Sequence, residues 1–224
     1  MVTWQRLKDL IAADPANIAG VIDHTLLKPD ATSDQIKKAC DEAKTYGFAT
    51  VCVNTSHLAL AAKRLMGSNV KPIAVIGFPL GACTTSTKVF EAKEALSIGA
   101  QEIDMVINVG ALKEKDFGFV ASEIRDIVKV CGKIPVKVIL ETAGLTNEEI
   151  MMGCELSKDA GAAYVKTSTG FGPGGATVEV VELMRRTVGP DMGVKASGGI
   201  RNRQDALKMI EAGANRLGTS AGVE

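Results

Sequence analysis

Short apolar runs alternate with longer amphipathic segments along the whole sequence, and this alternation limits the possible folds more than any other feature. The runs are rich in β-branched residues and are apolar nearly throughout. That pattern is typical of strands buried on both faces of a parallel sheet covered by helices. The eight strand candidates are residues 21–25, 49–54, 72–77, 102–108, 136–141, 163–167, 193–197 and 215–218.

The segments between these runs carry signals for the start and the end of helices. Residues 32–35 and 146–149 have the capping-box pattern, in which a hydroxyl and a side-chain acceptor satisfy the first free amides of a helix. Residues 98–103, 160–165 and 212–217 each repeat one order, a helix end followed by Gly, Ala and a strand. Glycine at that position permits the left-handed turn that ends a helix.

Eight strand–helix units predict an α/β fold of the (β/α)8 TIM-barrel type, formed by a single domain over residues 1–224. A doubly wound open sheet is the alternative. Residues 3–11 are expected to form an extra helix before the first strand. Only residues 221–224 follow the last strand, too few for an eighth helix. We therefore expect either a trimmed last helix or a natural chain that continues further.

Composition argues against several classes of function. The formal net charge is zero and the pI is about 6.7, so nucleic acid or an anionic membrane has no electrostatic reason to bind. The five cysteines form no metal-like spacing, as expected for reduced thiols. The first ten residues lack the apolar region of a signal peptide, and the most apolar stretch, residues 73–83, is too short to cross a bilayer. These features predict a cytoplasmic protein.

Three lysines lie inside apolar strand candidates, where an isolated ammonium costs several kcal/mol to remove from water. They are Lys137, Lys166 and Lys195, each 29 residues from the next. Equal spacing indicates equivalent positions in the repeating unit, all facing one cavity. A lysine held among other cations and away from water has a lowered pKa and becomes an amine nucleophile.

The active site of this fold lies at the carboxyl ends of the strands, where the sequence also places Asp23 and Asp104. A free lysine amine condenses with a carbonyl to form an iminium, an electron sink that allows a C–C bond to break. Asp104 and the remaining ammonium are candidates for the proton transfers. Two structural readings stay open: a lysine pairs with a carboxylate such as Glu141, and Asp23 bonds to His24 or Thr25.

No metal or nucleotide cofactor is predicted. The two histidines, His24 and His57, lie on separate units and do not form a zinc site. Residues 170–175 match G-x-G-x-x-G, but no acid ends the next strand, as a dinucleotide site requires. Cys52 is a candidate for a supporting role, although a cysteine in an apolar strand is more often a core residue.

Two late glycine-rich turns resemble phosphate cradles. Gly198 and Gly199 follow the seventh strand, and residues 218–220 follow the eighth. Backbone amides at these positions of a TIM barrel often bind a phosphate group. The segment around Gly170 is expected to contribute. The alternative is that the paired glycines only form a tight turn.

The sequence resembles the class I 2-deoxyribose-5-phosphate aldolases. The matching motifs occur in order over nearly the whole chain: Ile22-Asp-His-Thr-Leu-Leu-Lys-Pro29, Val51-Cys-Val-Asn54, Gly77-Phe-Pro-Leu-Gly81, Glu102-Ile-Asp-Met-Val-Ile-Asn108, Lys137-Val-Ile-Leu-Glu-Thr142, Val165-Lys-Thr-Ser-Thr-Gly-Phe171 and Val194-Lys-Ala-Ser-Gly-Gly-Ile-Arg201. The resemblance implies a metal-free (β/α)8 enzyme without a cofactor. Such an enzyme reversibly cleaves 2-deoxy-D-ribose 5-phosphate to acetaldehyde and D-glyceraldehyde 3-phosphate.

The resemblance also implies a role for each site residue. Lys166 would form the Schiff base, Lys195 would lower the pKa of Lys166, and Asp104 would transfer protons with Lys195 through water. Lys137, Asp23 and Cys52 would support this group. The phosphate-binding residues would be Gly170, Gly198, Gly199 and Ser220. Members of this family are often dimers or tetramers, so a homo-oligomer is expected.

The end of the chain departs from the family pattern. Many members carry a longer tail with a terminal tyrosine that assists proton exchange, whereas the only tyrosines here are Tyr46 and Tyr164. Two other functions remain open. One is a phosphosugar isomerase that uses Glu141 as its base, and the other is a phosphosugar-binding protein without catalysis.

Overall fold

Eight parallel strands close into a barrel in the computed structural model, which describes residues 3–223. Each strand pairs with the next in sequence, and the last pairs with the first, so the barrel has no free edge. The open-sheet alternative is therefore wrong and the TIM barrel is confirmed. The strands are β1 (Ile22–Leu26), β2 (Thr50–Val53), β3 (Lys71–Ile76), β4 (Glu102–Val106), β5 (Val136–Ile139), β6 (Tyr164–Lys166), β7 (Gly193–Ser197) and β8 (Arg216–Thr219).

Helices between the strands cover the outside of the barrel. Both predicted capping boxes form, at Thr32 with Gln35 and at Thr146 with Glu149. The helices are α1 (Trp4–Ala13), α2 (Ser33–Tyr46), α3 (Thr55–Leu65), α4 (Thr85–Ile98), α5 (Val109–Lys113), α6 (Phe117–Cys131), α7 (Asn147–Asp159), α8 (Val178–Val188) and α9 (Arg203–Ala212). None of them is long and apolar enough to span a membrane.

The predicted extra helix before the first strand is α1. It is amphipathic and buries Leu7 and Ile11, and burying a side chain of this kind stabilises a fold by about 1.5–3 kcal/mol. The indole Nε1 of Trp4 donates a 2.6 Å hydrogen bond to the carbonyl oxygen of Ile210 and so fixes α1 against α9. Beyond β8, residues 220–223 form no helix, in agreement with the short segment that follows the eighth strand.

Alternation along each strand separates two environments. In β4, Ile103 and Met105 belong to the main apolar core beneath the helices, whereas the residues on either side of them, Glu102 and Asp104, belong to a buried group of charges. Successive strand residues point to opposite faces, so these polar residues face the barrel interior. The barrel therefore keeps an apolar outer layer and presents its charged residues inward, where the functional site is built.

Candidate active site

A network of buried charges fills the interior of the barrel. Removing an ion from water costs several kcal/mol unless a partner of opposite charge compensates it, and each of these residues has such a partner. The members are Asp23 on β1, Glu102 and Asp104 on β4, Lys137 on β5, Lys166 on β6, Lys195 on β7 and Arg216 on β8.

The Asp104 carboxylate is the point where all three strand lysines meet. The Nζ atom of Lys137 lies 2.8 Å from Oδ1, and those of Lys166 and Lys195 lie 2.9 and 2.7 Å from Oδ2. The predicted convergence of the three lysines on one site therefore occurs. None of the three lysines forms an ion pair with Glu141, so the pairing with that carboxylate given as an alternative is absent among the described residues.

Equal spacing in the sequence does not give the lysines equal heights in the barrel. Lys166 is in register with Lys195, whereas Lys137 is in register with Tyr164, two residues deeper. The expectation of equivalent positions is therefore wrong for Lys137. Closing a sheet into a barrel staggers neighbouring strands, and this stagger is not visible as sequence spacing. The deeper ammonium of Lys137 also lies 2.6 Å from Glu102.

The electrostatic environment differs among the three lysines. Burial lowers the pKa of Lys166, and although Asp104 opposes this effect, the nearby Lys195 cation adds to it, so the net shift is downward from 10.5. Burial also acts to lower the pKa values of Lys137 and Lys195. The carboxylates of Asp104 and Asp23 outweigh burial there and hold both pKa values above the ordinary one.

A charge count explains this difference. Within the described chain, the barrel interior holds three carboxylates and four cations. Lys137 and Lys195 each contact two or more carboxylates, and Arg216 bonds through Nη2 to both oxygens of Glu102 at 2.6 Å. Lys166 contacts Asp104 alone. It is the fourth cation for three anions, so it is the one that loses its proton most easily.

The carboxylates themselves stay ionised. Burial acts to raise the pKa of Asp104, but Lys137, Lys166 and Lys195 together hold it well below 3.8. The pKa of Asp23 is also lowered, because Arg216 and Lys195 outweigh its burial. Asp23 accepts a 2.8 Å hydrogen bond from the Thr50 hydroxyl and pairs with Lys195.

The Asp23 carboxylate bonds to neither of the two alternative partners, His24 and Thr25. His24 Nε2 pairs with Glu42 on α2 and not with Asp23, at 2.9 Å. Thr25 donates its hydroxyl hydrogen to the Asp23 backbone carbonyl and not to the carboxylate.

Of the three lysines, only Lys166 lines the cavity at the carboxyl ends of the strands. This cavity has a volume of about 330 Å³. All four residues predicted to bind phosphate line it as well: Gly170, Gly198, Gly199 and Ser220. Lys195 and Asp104 lie beneath its floor and are completely buried.

Backbone geometry makes part of this cavity suited to an anion. Gly170, Gly198 and Gly199 have φ of +87°, +84° and +82°, which residues with a side chain rarely adopt. The amides of Gly170, Gly199 and Ser220 donate to no acceptor in the described part of the chain. Free amides on turns of this kind form anion-binding concavities.

Cys52 lies in an apolar part of the barrel interior. Together with Leu27, Ile73 and Val75 it forms a small apolar cluster against which Phe78 packs. Burial raises the pKa of its thiol to about 11, and Asp104 adds to this effect. A thiol that stays protonated is a poor nucleophile, so Cys52 contributes an apolar wall beside the charged group.

Sequence reasoning missed several members of the site. Arg216 and Glu102 are the first residues of their strands. In the sequence they look like surface charges, because only the barrel shows that their side chains point inward. Lys28 and Arg201 are exposed side chains that line the cavity. Arg201 could have been found from the glycine turn that precedes it after β7, whereas Lys28 lies two residues past β1 with no turn motif before it.

Metal ligation finds no support in the donor set. Among residues 3–223, no group of three or more His, Cys, Asp or Glu side chains is arranged to hold a metal ion. The three interior carboxylates are instead occupied by lysine and arginine.

Comparison with known proteins places the chain in a family. The family model described as DeoC/LacD family aldolase matches residues 18–223. The chain is 60% identical over 211 residues to the deoxyribose-phosphate aldolase of Thermoanaerobacter sp. (strain X514), covering 93% of this chain and 95% of that protein. It is 61% identical over 208 residues to the deoxyribose-phosphate aldolase of Geobacillus sp. (strain WCH70), covering 92% and 93%.

A solved structure shows the same arrangement of the chain. The deoxyribose phosphate aldolase of Aeropyrum pernix, described as a unique tetrameric structure, superimposes with a TM-score of 0.89 at 35% identity, covering 97% of this chain and 93% of that one. Sequence and structure agree over nearly the full length. The chain belongs to the DeoC/LacD family of aldolases.

Proposed function

We propose that this protein cleaves 2-deoxy-D-ribose 5-phosphate reversibly to acetaldehyde and D-glyceraldehyde 3-phosphate through a Schiff base on Lys166. One observation carries the proposal. Lys166 pairs with a single carboxylate, Asp104, which it shares with two other lysines. It is also the only one of the three lysines that lines the cavity. Burial and the neighbouring Lys195 lower its pKa, which is the condition for an amine nucleophile.

The reaction begins when the neutral amine of Lys166 attacks the C1 aldehyde of the open-chain sugar. Loss of water from the resulting carbinolamine gives an iminium. The iminium accepts the electron pair of the C2–C3 bond as this bond breaks, while the C3 hydroxyl loses its proton and becomes the aldehyde of glyceraldehyde 3-phosphate. Protonation of the enamine at C2 and hydrolysis then release acetaldehyde and restore Lys166.

These steps need a proton donor and acceptor close to C1 and C2. We assign this role to Lys195 with Asp104, acting through water. Lys195 Nζ lies 2.7 Å from Asp104 Oδ2, and the same oxygen lies 2.9 Å from Lys166 Nζ. Lys137 and Asp23 hold this pair from below, because they compensate its charges without reaching the cavity.

The phosphate group of the substrate would lie at the other end of the cavity. The free amides of Gly170, Gly199 and Ser220 are its proposed donors, with Gly198 supplying the turn. The exposed cations Lys28 and Arg201 line the same cavity and add positive charge. An acyclic five-carbon phosphate placed in this way has its carbonyl end at Lys166.

Borohydride trapping tests the proposal directly. Incubation with acetaldehyde and borohydride should add a two-carbon group to the peptide that contains Lys166, and Lys166→Met should abolish both the adduct and cleavage of 2-deoxyribose 5-phosphate. The exposed Lys208 on α9 offers a matched control, since Lys208→Met should change neither. An adduct on another lysine, or no adduct, would contradict the assignment of Lys166, whereas full activity of Lys166→Met would favour a phosphosugar isomerase. Binding without turnover would favour a phosphosugar-binding protein.

We further propose that the protein assembles into a homo-oligomer, a dimer or a tetramer. Three large apolar side chains are strongly exposed on the described surface: Met66 at 81%, Leu80 at 77% and Phe90 at 68%. Exposed apolar side chains are frequent at subunit interfaces. Light scattering at micromolar concentration measures the assembly, and a monomeric mass would refute it.

A further inference from the structure

Glu141 has a backbone conformation that residues with a side chain seldom adopt. Its φ is +53° and its ψ is +56°, in the left-handed region. Apart from glycines, only Lys115 shares a positive φ within residues 3–223. Such a conformation persists where surrounding contacts enforce it, and it often marks a functional position. Glu141 lies two residues past the carboxyl end of β5, so it lies at the rim where the site is built.

The left-handed turn directs the Glu141 carboxylate to the loop that follows β6. One oxygen, Oε1, accepts a 3.4 Å hydrogen bond from the Thr169 amide, and Oε2 accepts one from the Thr169 hydroxyl. The same hydroxyl oxygen accepts a 3.0 Å hydrogen bond from the Phe171 amide. Glu141 thus holds Thr169, and Thr169 in turn holds Phe171, so Gly170 lies between two hydrogen-bonded residues.

The contact between Glu141 and Thr169 lies just past the last hydrogen bonds that join the chain after β5 to β6 and the residue that follows it. The Leu140 amide bonds to the carbonyl oxygen of Lys166, and the Thr142 amide bonds to that of Thr167. Past Ser168, no hydrogen bond between backbone groups joins residues 169–175 to any described residue. The strands therefore hold Lys166, whereas the hydrogen bonds around Gly170 lead through Thr169 to Glu141.

The same carboxylate explains one glycine of the G-x-G-x-x-G pattern at residues 170–175, and the backbone of Gly198 explains another. A methyl group added at Gly172 would lie 2.8 Å from the carboxyl carbon of Glu141, and one at Gly175 would overlap the backbone of Gly198. Gly172 and Gly175 let this loop pack between Glu141 on one side and the turn at Gly198 on the other. Close packing therefore accounts for Gly172 and Gly175 of the motif, and the left-handed φ of +87° accounts for Gly170.

We propose that Glu141 is a positioning residue that sets the preference of this enzyme for phosphorylated substrates. It does so by holding the Gly170 amide against the turn at Gly198 and Gly199, so that both face one anion. Glu141 does not line the cavity, which separates this role from that of a catalytic base. The inference rests on the proposed function, because the anion is taken to be the phosphate of 2-deoxyribose 5-phosphate.

Glu141→Gln is the sharpest test, because an amide keeps the size of the side chain. If its oxygen accepts from the Thr169 amide, its NH2 group faces the hydroxyl and can no longer receive that hydrogen. If the amide is turned around, two donors face each other. Either way one hydrogen bond to a charged group is lost. We expect kcat/KM for 2-deoxyribose 5-phosphate to fall about tenfold, while kcat/KM for unphosphorylated 2-deoxyribose changes less than about twofold.

Gly172→Ala should give the same selective loss by displacing the carboxylate, and Glu155→Gln on the exposed face of α7 is the matched control. Glu141→Gly separates positioning from folding, since glycine relieves the left-handed conformation. It should retain the melting temperature yet lose the preference for phosphate. An equal loss on both substrates in Glu141→Gln would overturn the proposal and indicate a base.

Calorimetry with inorganic phosphate keeps the two proposals distinguishable. If the wild type does not cleave the sugar phosphate, the proposed function fails, yet Glu141→Gln should still weaken phosphate binding about tenfold. Unchanged phosphate binding in that variant would overturn the role of Glu141 even in an active aldolase.

Discussion

Replacement of Lys195 by methionine tests the electrostatic origin of the Lys166 nucleophile. The two ammonium nitrogens lie 2.9 and 2.7 Å from the same oxygen of Asp104, so they are at most about 5.6 Å apart. At an effective dielectric constant of about 20, two unit charges at this separation repel by about 3 kcal/mol. Removing Lys195 also leaves the charge of Asp104 less compensated, so Asp104 attracts the Lys166 ammonium more strongly. Both changes raise the pKa of Lys166.

The expected effect follows from that energy. A change of about 3 kcal/mol is a factor of about 100 in a proton-binding equilibrium, so the ratio of neutral to charged Lys166 at a given pH should fall by about 100-fold, and the neutral fraction should fall with it. The rate of borohydride trapping with acetaldehyde measures this fraction, because it reports iminium formation and not the later steps. The acidic limb of the trapping rate in Lys195→Met should therefore move to higher pH.

Lys137→Met is the matched control, since it also removes one ammonium from Asp104 but from the other oxygen and a deeper layer. Its acidic limb should move less than that of Lys195→Met. Circular dichroism on both variants checks that the barrel still forms. An acidic limb in Lys195→Met at the wild-type pH would refute the claim that Lys195 lowers the pKa of Lys166.

Three further predictions concern stability. Lys88 and Glu123 form a completely buried ion pair at 2.7 Å. Lys88→Met should therefore lower the free energy of unfolding, measured by urea denaturation, by about 3–5 kcal/mol. Adding Glu123→Gln to that variant should restore part of the loss. Thr32→Ala removes the capping hydroxyl of α2 and should cost about 1 kcal/mol, whereas Thr32→Ser should cost little. The pKa of Asp104 is lowered on folding from 3.8, so its contribution to stability is complete above that pH and is lost as pH falls below it. Constant unfolding free energy from pH 6 to pH 3 would contradict this.

The fold could be predicted closely because each local signal agreed with the final structure. The strand candidates fall within a few residues of the observed strands, since apolar β-branched runs have no other way to bury both faces. The helix starts at Thr32 and Thr146 were correct because capping is a local interaction of neighbouring residues. The number of these units left an open sheet as an alternative, and the pairing of β8 with β1 is what closes the barrel.

The candidate site was predicted less completely, for reasons of direction and depth. Strand residues alternate between two faces, so Arg216 and Glu102 were recognisable only once the barrel assigned those faces. The stagger of β5 against β6 sets Lys137 below Lys166, and no sequence spacing encodes that. Glu141 was expected to act as a partner of a lysine or as a base, whereas its left-handed backbone directs it to Thr169.

The division of the site into buried and exposed cations has a consequence for its response to ionic strength. Mobile ions screen exposed charges over about 8 Å at physiological salt but reach buried pairs poorly. Lys28 and Arg201 line the open cavity and are exposed, whereas Lys195 and Asp104 are enclosed by the barrel. Added salt should therefore weaken substrate capture and raise KM. The readiness of Lys166 to form an iminium, and with it kcat, should stay nearly constant.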